Sequence, residues 1–231
     1  MLKQVQHGVA GALALLALPA SDAASAQDLP AVSYPELPRE AGSLEGFIPK
    51  GWRIEARALG DLDGDSKPDL ALVLRATEPA ISVAESMCEE PFDPNPRLIA
   101  VLLAKPSGGY RLAARTHKLI PRLDDPCQLD PFSDPGQIAI ERGTLRIDLE
   151  RMMSAGGWDA GTTTYKLRWR EGEMRLVGFD YSNVKRNSGA LSQLSVNYLT
   201  GRAKVTTGNV GTDRDKERWT MLRDRRAPTL D

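Results

Sequence analysis

Apolar residues along this chain are grouped in short runs from Trp52 onward. Each run has about five to eight residues, is continuously apolar or alternates between apolar and polar, and is bounded by Gly, Pro or Asp. This pattern is typical of β-strands, whereas the period of an amphipathic helix is poorly developed. The predicted strands cover residues 53–59, 70–75, 98–104, 110–115, 137–140, 144–149, 163–170, 174–180 and 194–199.

Turns that contain glycine separate several of these runs and indicate hairpins. Gly108, Gly143 and Gly172 each stand between two predicted strands, where glycine accommodates a positive backbone angle. Sequential hairpins predict an all-β antiparallel meander, which protects its edges by closing into a barrel or by radial, propeller-like packing. We expect one propeller-like or barrel-like β domain over residues 46–222, without a repeat of fixed period. Residues 27–45 are interpreted as an extended lead-in and residues 223–231 as a flexible tail.

The N-terminus has the three parts of a secretory signal peptide. Lys3 provides a positive start, residues 9–18 form a short uncharged apolar run, and Ala24-Ser25-Ala26 is a small-x-small cleavage site. A signal peptide over residues 1–26 predicts a periplasmic protein, with secretion as the alternative. The apolar run is too short to cross a bilayer, so we expect no transmembrane segment.

The net charge bears on the class of binding partner, and the two cysteines bear on whether the chain contains a disulfide. The formal net charge is -1, from 30 basic and 31 acidic residues, and this balance argues against nucleic acid as a partner. Cys88 and Cys127 lie in Pro-rich acidic segments without Cys-x-x-Cys spacing. After export we expect them to form one disulfide that joins two long loops, with a metal-binding or redox pair as the weaker alternative.

A short acidic segment between two predicted strands has the spacing of a calcium loop. Four aspartates occupy positions one, three, five and nine, and position seven offers the backbone carbonyl of Lys67; the aspartates are Asp61, Asp63, Asp65 and Asp69. Carboxylates this close repel one another unless a cation separates them, and Ca²⁺ prefers several oxygen ligands. An EF-hand is excluded because Ser66 replaces the glycine of position six and Leu72 the glutamate of position twelve. The alternative is an acidic β-turn without metal, and a bound cation would stabilise the fold without doing chemistry.

The sequence offers little for catalysis. His117 is the one histidine that follows the signal peptide, and its neighbourhood lacks a nucleophile motif, a metal-ligand pattern or a phosphate loop. We interpret it as a surface residue at the end of a strand. The acidic pairs Glu89-Glu90 and Asp124-Asp125 are interpreted as solvated loop charges, although a hydrolase that uses two carboxylates stays an alternative. We therefore predict a protein that is not an enzyme.

One loop carries apolar residues that a plain connection would avoid. Residues 152–158 contain two methionines, two glycines and a tryptophan between predicted strands. Exposed apolar side chains on a glycine-hinged loop favour a protein contact, with packing of Trp158 onto the core as an equal alternative. The predicted partner-binding residues are Ser154, Gly156, Gly157 and Trp158, followed by Ser107 and Tyr110 in a second loop.

The acidic segment, residues 60–72, resembles the calcium loop of FG-GAP and VCBS repeats, the units of integrin-type propellers. Segments 48–52, 156–169 and 197–201 add a resemblance to exported bacterial proteins with one such loop. Some members of that group are similar to periplasmic immunity proteins that inhibit lysozyme-like effectors. The resemblance implies calcium ligation by the four aspartates and the Lys67 carbonyl. It also implies a peptidoglycan hydrolase as partner, against the alternative of a calcium-stabilised binding or adhesion module with another ligand.

Overall fold

The computed structural model describes Leu29, residues 31–80, Cys88, residues 92–224, residue 226 and residues 228–230. The predicted signal peptide lies outside these residues. Regular structure in the described part consists of β-strands and two short 3₁₀ helices, at Leu44–Phe47 and Pro135–Gln137. The strands are β1 (Glu40–Ala41), β2 (Trp52–Gly60), β3 (Asp69–Ala76), β4 (Arg97–Ala104), β5 (Tyr110–Thr116), β6 (Ile138–Glu141), β7 (Thr144–Met152), β8 (Asp159–Arg170), β9 (Glu173–Lys185), β10 (Ala190–Asn197), β11 (Arg202–Asn209) and β12 (Thr212–Met221).

The strands form two antiparallel sheets, which confirms the predicted all-β meander. The first sheet has the order β1-β5-β4-β3-β2, and the second has the order β12-β11-β10-β9-β8-β7-β6. Among the described strands neither sheet closes on itself, so the barrel-like form of the prediction is replaced by two stacked open sheets. Packing the apolar face of one sheet on that of the other buries both faces without closure.

Tight turns connect most neighbouring strands at the predicted places. Arg142 and Gly143 have φ values of 51° and 70°, and Glu171 and Gly172 have values of 54° and 82°. Two successive positive angles are the mark of the type I′ hairpin, whose twist matches that of the strands it joins. These turns fix the β6–β7 and β8–β9 pairings.

Strands β3 and β4 are buried on both faces. One face packs against the second sheet, in a core that includes Val73, Val101 and Ile147. The other face, which includes Leu72, is covered by the chain before β2 through Leu37 and Phe47. Burial on both sides explains why these two strands are continuously apolar in sequence and do not alternate.

Both ends of the described chain pack onto the sheets. The segment interpreted as a lead-in includes β1, which pairs with β5. The described part of the tail differs from the expected flexible segment, because Leu230 is buried and its amide donates a hydrogen bond of 2.9 Å to the Met174 carbonyl. Leu222 and Leu230 lie on either side of a polar stretch, and both pack in the core and hold the tail there.

Strand register divides the molecule into two ends. The β2–β3 loop, the β4–β5 turn, the β6–β7 turn and the β8–β9 turn lie at one end, which we call the acidic-loop end. The β7–β8 loop lies at the opposite end of the same strands, together with Cys127, whose carbonyl accepts a hydrogen bond of 2.7 Å from the Ser154 amide. We call this the disulfide end, because Cys88 and Cys127 form the predicted disulfide there.

Candidate metal centre

The acidic loop, residues 61–68, connects β2 to β3 at the edge of the first sheet. Asp61 organises its first turn, with Oδ1 accepting a hydrogen bond of 2.7 Å from the Gly64 amide and Oδ2 one of 2.9 Å from the Ser66 amide. Ser66 has a φ of 64°, so position six takes the left-handed conformation even though it is not glycine. The loop therefore closes tightly around the Asp61 carboxylate.

Asp63 and Asp65 continue the same pattern along the loop. Asp63 Oδ1 accepts from the Asp65 amide at 3.2 Å, and Asp65 Oδ1 accepts from the Lys67 amide at 2.8 Å. Lys67 Nζ also lies 2.6 Å from Asp65 Oδ2. The hydrogen bonds from Lys67 hold the pKa of Asp65 below its ordinary value, and the same carboxylate raises the pKa of Lys67. Ligation by the Lys67 carbonyl stays a prediction.

Asp69 has a different place from the other three aspartates. Its side chain is completely buried at the start of β3. Oδ2 accepts a hydrogen bond of 2.8 Å from the Leu62 amide, and Oδ1 accepts one of 2.9 Å from the Ala104 amide at the end of β4. Burial raises the pKa of Asp69, against the lowering effect of these hydrogen bonds. Asp69 therefore ties the acidic loop to the first sheet.

The carboxylates of Asp61, Asp63 and Asp65 converge, with one oxygen of each lying within 4.8 Å of the others. Calcium binds oxygen at about 2.3–2.6 Å, so two ligands on opposite sides of one ion are about 5 Å apart. One Ca²⁺ could therefore bridge these three carboxylates. Asp63 and Asp65 are exposed and Asp61 is half-buried, which leaves one side of the loop open to solvent and to water ligands.

The second group of predicted residues lies in the β7–β8 loop, residues 153–158, which we call the Trp158 loop. Trp158 is 60% exposed and does not fold back onto the core. Ser154 is anchored to the Cys127 carbonyl through both its amide and its hydroxyl, while Gly156 turns the chain with a φ of 75°. Gly157 packs closely on Met153, since a Cβ at this glycine would lie 2.9 Å from Met153 Cγ.

Arg186 fixes the Trp158 loop and was not singled out from the sequence. Its Nη2 donates hydrogen bonds of 2.6 Å to the Met153 carbonyl and 2.9 Å to the Gly157 carbonyl. The guanidinium also lies 6.0 Å from the centroid of the Trp158 ring, a cation–π contact. Only the register of β9 against β8 brings Arg186 beside this loop, so no local sequence signal identifies it.

Ser107 and Tyr110 are placed apart from the Trp158 loop. Both lie at the acidic-loop end, where Ser107 is exposed in the β4–β5 turn and Tyr110, the first residue of β5, is half-buried against the core that includes Leu37 and Phe47. The two predicted partner-binding loops therefore lie at opposite ends of the molecule. They do not form one surface.

The remaining chemical candidates have surface or structural positions. His117 is exposed directly after β5 and stacks on Tyr34, with 4.0 Å between the ring centroids. The pKa of His117 is lowered by partial burial and by the charges of Lys118 and Arg115. Asp125 accepts the Cys127 amide in a turn, and Asp124 is exposed, whereas Glu89 and Glu90 lie outside the described residues.

A network of arginines and carboxylates joins the disulfide end to the first sheet. Arg97 is buried and lies 2.6 Å from both Glu55 Oε2 and Asp130 Oδ2. Arg75 lies 2.8 Å from both Glu55 Oε1 and Asp93 Oδ2. These residues come from three strands and two loops, so sequence spacing gave no indication that they meet.

Comparisons with known proteins give no relative for this arrangement. No protein-family model, no curated protein and no solved structure matches the chain. Within the described residues, no helix combines the length and the apolar character needed to cross a membrane.

Proposed function

We propose that this chain is an exported, calcium-stabilised binding protein that inhibits a lysozyme-like peptidoglycan hydrolase and has no catalytic activity of its own. The observation that carries the proposal is the convergence of the Asp61, Asp63 and Asp65 carboxylates within 4.8 Å. The disulfide between Cys88 and Cys127 supports export to an oxidising compartment such as the periplasm. The class of partner rests on the sequence resemblance described above.

The proposed role of calcium is to stabilise the connection between β2 and β3. Without a cation, three carboxylates in one small loop repel one another, and Lys67, in direct contact with Asp65, supplies one positive charge against three negative ones. A divalent cation removes this repulsion, and Asp69 transmits the order of the loop to β4 through its two backbone hydrogen bonds. Because the unfolded chain cannot assemble such a site, binding of calcium adds to the free energy of unfolding.

The proposed contact with the hydrolase is made by the Trp158 loop. Trp158 is 60% exposed, and Arg186 bonds the loop backbone beside it and contacts its ring, which should lower the conformational entropy lost when a partner covers the side chain. Exposed and ordered tryptophans of this kind are frequent anchors of protein interfaces. The neighbouring apolar side chains of Leu129 and Met152 are also exposed and extend the surface, because the Leu129 amide bonds to the Met152 carbonyl.

Calcium binding is tested by thermal unfolding with calcium and with chelator. We expect calcium to raise the melting temperature, with a gain of about 2.7 kcal/mol at a hundredfold excess over the dissociation constant. Asp61→Asn should abolish the gain, whereas Asp224→Asn, a change at an exposed carboxylate outside the loop, should preserve it. An equal melting temperature in calcium and chelator would overturn the proposal.

Inhibition is tested with a muramidase encoded in the same genome. We expect the full mature chain to slow lysis of cell walls, and Trp158→Ala to weaken binding at least tenfold, about 1.4 kcal/mol or more. Trp219→Ala is the matched control, because Trp219 is similarly exposed at 55% but lies on β12. Failure of the wild-type chain to bind such hydrolases, with retained binding to glycans or to another protein, would favour the alternative of an adhesion module.

A further inference from the structure

An open cleft lies beside the acidic loop, where the edges of the two sheets meet. Gly60 at the end of β2 packs directly on Ile140 of β6, and a Cβ at this glycine would lie 2.4 Å from Ile140 Cγ2. One wall of the cleft is formed by residues 60–64, and the other by the β6–β7 turn and the end of β8. The cavity has a volume of about 590 Å³, which is sufficient for a small ligand or for one side chain of a partner.

Three arginines line the wall that faces the acidic loop: Arg142, Arg168 and Arg170. All three are exposed, and Arg168 Nε is oriented by a hydrogen bond of 2.7 Å to Thr144 Oγ1. In the part of the chain that the structure describes, no carboxylate lies within ion-pair distance of these three groups. The neighbouring Glu171 and Glu173 pair instead with Arg175, at 3.3 Å and 3.0 Å.

Core packing anchors the strand that carries two of these arginines. Trp169 lies between Arg168 and Arg170 in β8 and packs partly against the core. Its ring also contacts the guanidinium of Arg111 on β5, at 5.0 Å from the ring centroid. Arg168 and Arg170, two residues apart on β8, therefore lie on one face of the strand, and Arg168 is oriented there by Thr144.

We propose that this cleft binds an oxyanion group, a carboxylate or a phosphate, and that calcium in the acidic loop strengthens this binding. The proposal rests on the calcium binding proposed above. Guanidinium groups present a planar fork of donors that matches the oxygens of carboxylate and phosphate. The cleft brings three exposed guanidinium-bearing residues together without a carboxylate of the described chain in ion-pair contact.

The dependence on calcium follows from the charges that share the cleft. Asp61 and Asp63 line it opposite the arginines, so two negative charges offset most of the three positive ones. A divalent cation held by these carboxylates cancels their charge and leaves the arginines dominant. By reciprocity, an oxyanion in the cleft should raise the affinity of the loop for calcium by the same factor.

The experiment uses the full mature chain and two simple probes, acetate and methyl phosphate. Calcium affinity is first measured by calorimetry. Each probe is then titrated, with calcium and in calcium-free buffer without soluble chelator, while the amide of Gly143 and the indole of Trp169 are followed by NMR. We expect saturable shifts at these two groups, with at least threefold tighter binding in calcium. The probe that binds more tightly identifies the ligand as a carboxylate or a phosphate.

Paired variants separate the cleft from other basic sites. The double variant Arg142→Gln with Arg168→Gln should lose the shifts, whereas Arg186→Gln at the disulfide end should keep them. If calcium binds and neither probe shifts these groups, the oxyanion site is overturned and the proposed function stands. If the probes bind equally with calcium and in calcium-free buffer, the coupling to calcium is overturned. If calcium itself does not bind, the calcium-stabilised function proposed above is overturned, and with it the coupling of the cleft to calcium.

Discussion

Two residues of the acidic loop, Gly64 and Ser66, have positive φ angles, although only glycine adopts such angles without steric cost. Gly64 has a φ of 85° and Ser66 a φ of 64°, and both angles are costly for residues that carry a Cβ. Ser66 tolerates its angle because its amide is held by Asp61 Oδ2. The Gly64 amide is held by Asp61 Oδ1, so the same carboxylate imposes both conformations.

We predict that Gly64→Ala lowers the free energy of unfolding by about 1–2 kcal/mol, because alanine is strained at this angle. A Cβ at Gly64 meets nothing within 4 Å, so the loss would arise from the backbone alone. Gly42→Ala is the control, since that position also has open space and does not require a positive φ. The measurement is urea denaturation in chelator, and equal stability of the two variants would contradict the prediction.

At the scale of single residues, the sequence identified the acidic loop through spacing alone. The alternate positions of Asp61, Asp63 and Asp65 are a local property of one turn, and the structure brings their carboxylates together. The position of Asp69 depends on β4, whose Ala104 amide it accepts, and no local pattern reports a contact made 35 residues away. For the same reason, Arg186 and the arginines of the cleft were missed.

At the scale of elements, strands marked by an apolar run or by alternation were predicted, whereas β1, β11 and β12 were missed. Strand β11 has buried residues at Ala203 and Thr206, but these are small or polar and give no strong apolar pattern. The nine predicted runs correspond to β2 through β10, with ends that differ by a few residues. Strand β12 was missed because its described side chains are mostly exposed on both faces, so neither alternation nor an apolar run marks it. Its pairing with β11 supplies backbone hydrogen bonds, and its charged side chains discourage pairing with a second chain at this edge.

The network of Glu55, Arg75, Arg97 and Asp130 joins elements that are distant in sequence. Glu55 on β2 accepts hydrogen bonds from both arginines, which come from β3 and β4. Arg97 also donates to Asp130 and to the Phe132 carbonyl in the loop that follows Cys127. The network thus holds the long loop of the disulfide end against the first sheet, in addition to the disulfide.

We predict that Glu55→Gln lowers the free energy of unfolding at neutral pH by roughly 3 kcal/mol, because two largely buried guanidinium groups lose a shared carboxylate. Burial raises the pKa of Glu55, but hydrogen bonds and charges from Arg97 and Arg75 outweigh it, and the pKa lies below its ordinary value. The stabilisation is therefore complete above the unfolded pKa of about 4.3 and is lost as the pH falls through the lower, folded pKa.

Denaturation between acid and neutral pH checks this prediction. The wild-type chain should lose the contribution of Glu55 in acid, and Glu55→Gln should show a correspondingly smaller loss. Glu150→Gln, at an exposed glutamate on β7, should follow the wild-type curve. A Glu55→Gln curve parallel to that of the wild type would show that the network adds no acid sensitivity.

At the scale of the whole molecule, the two ends are electrostatically independent. The strands between them set the separation: Arg168 at the acidic-loop end and Asp159 beside the Trp158 loop belong to the same strand, β8, and strand geometry places them roughly 30 Å apart. At physiological ionic strength the screening length is about 8 Å, so charges at the disulfide end have little influence on the acidic loop. The arginines and the acidic loop, in contrast, line the same cleft.

We therefore predict that Arg168→Gln tightens calcium binding by about two- to fivefold, because it removes a positive charge that repels the cation across the cleft. Arg186→Gln removes the same charge at the disulfide end and should leave the calcium dissociation constant unchanged. Calorimetric titration at low and at physiological salt provides the measurement, and the effect of Arg168→Gln should shrink as salt increases. An equal change in both variants would mean that net charge, and not position in the cleft, controls calcium affinity. That result would also contradict the proposed coupling between the arginines of the cleft and calcium binding in the acidic loop.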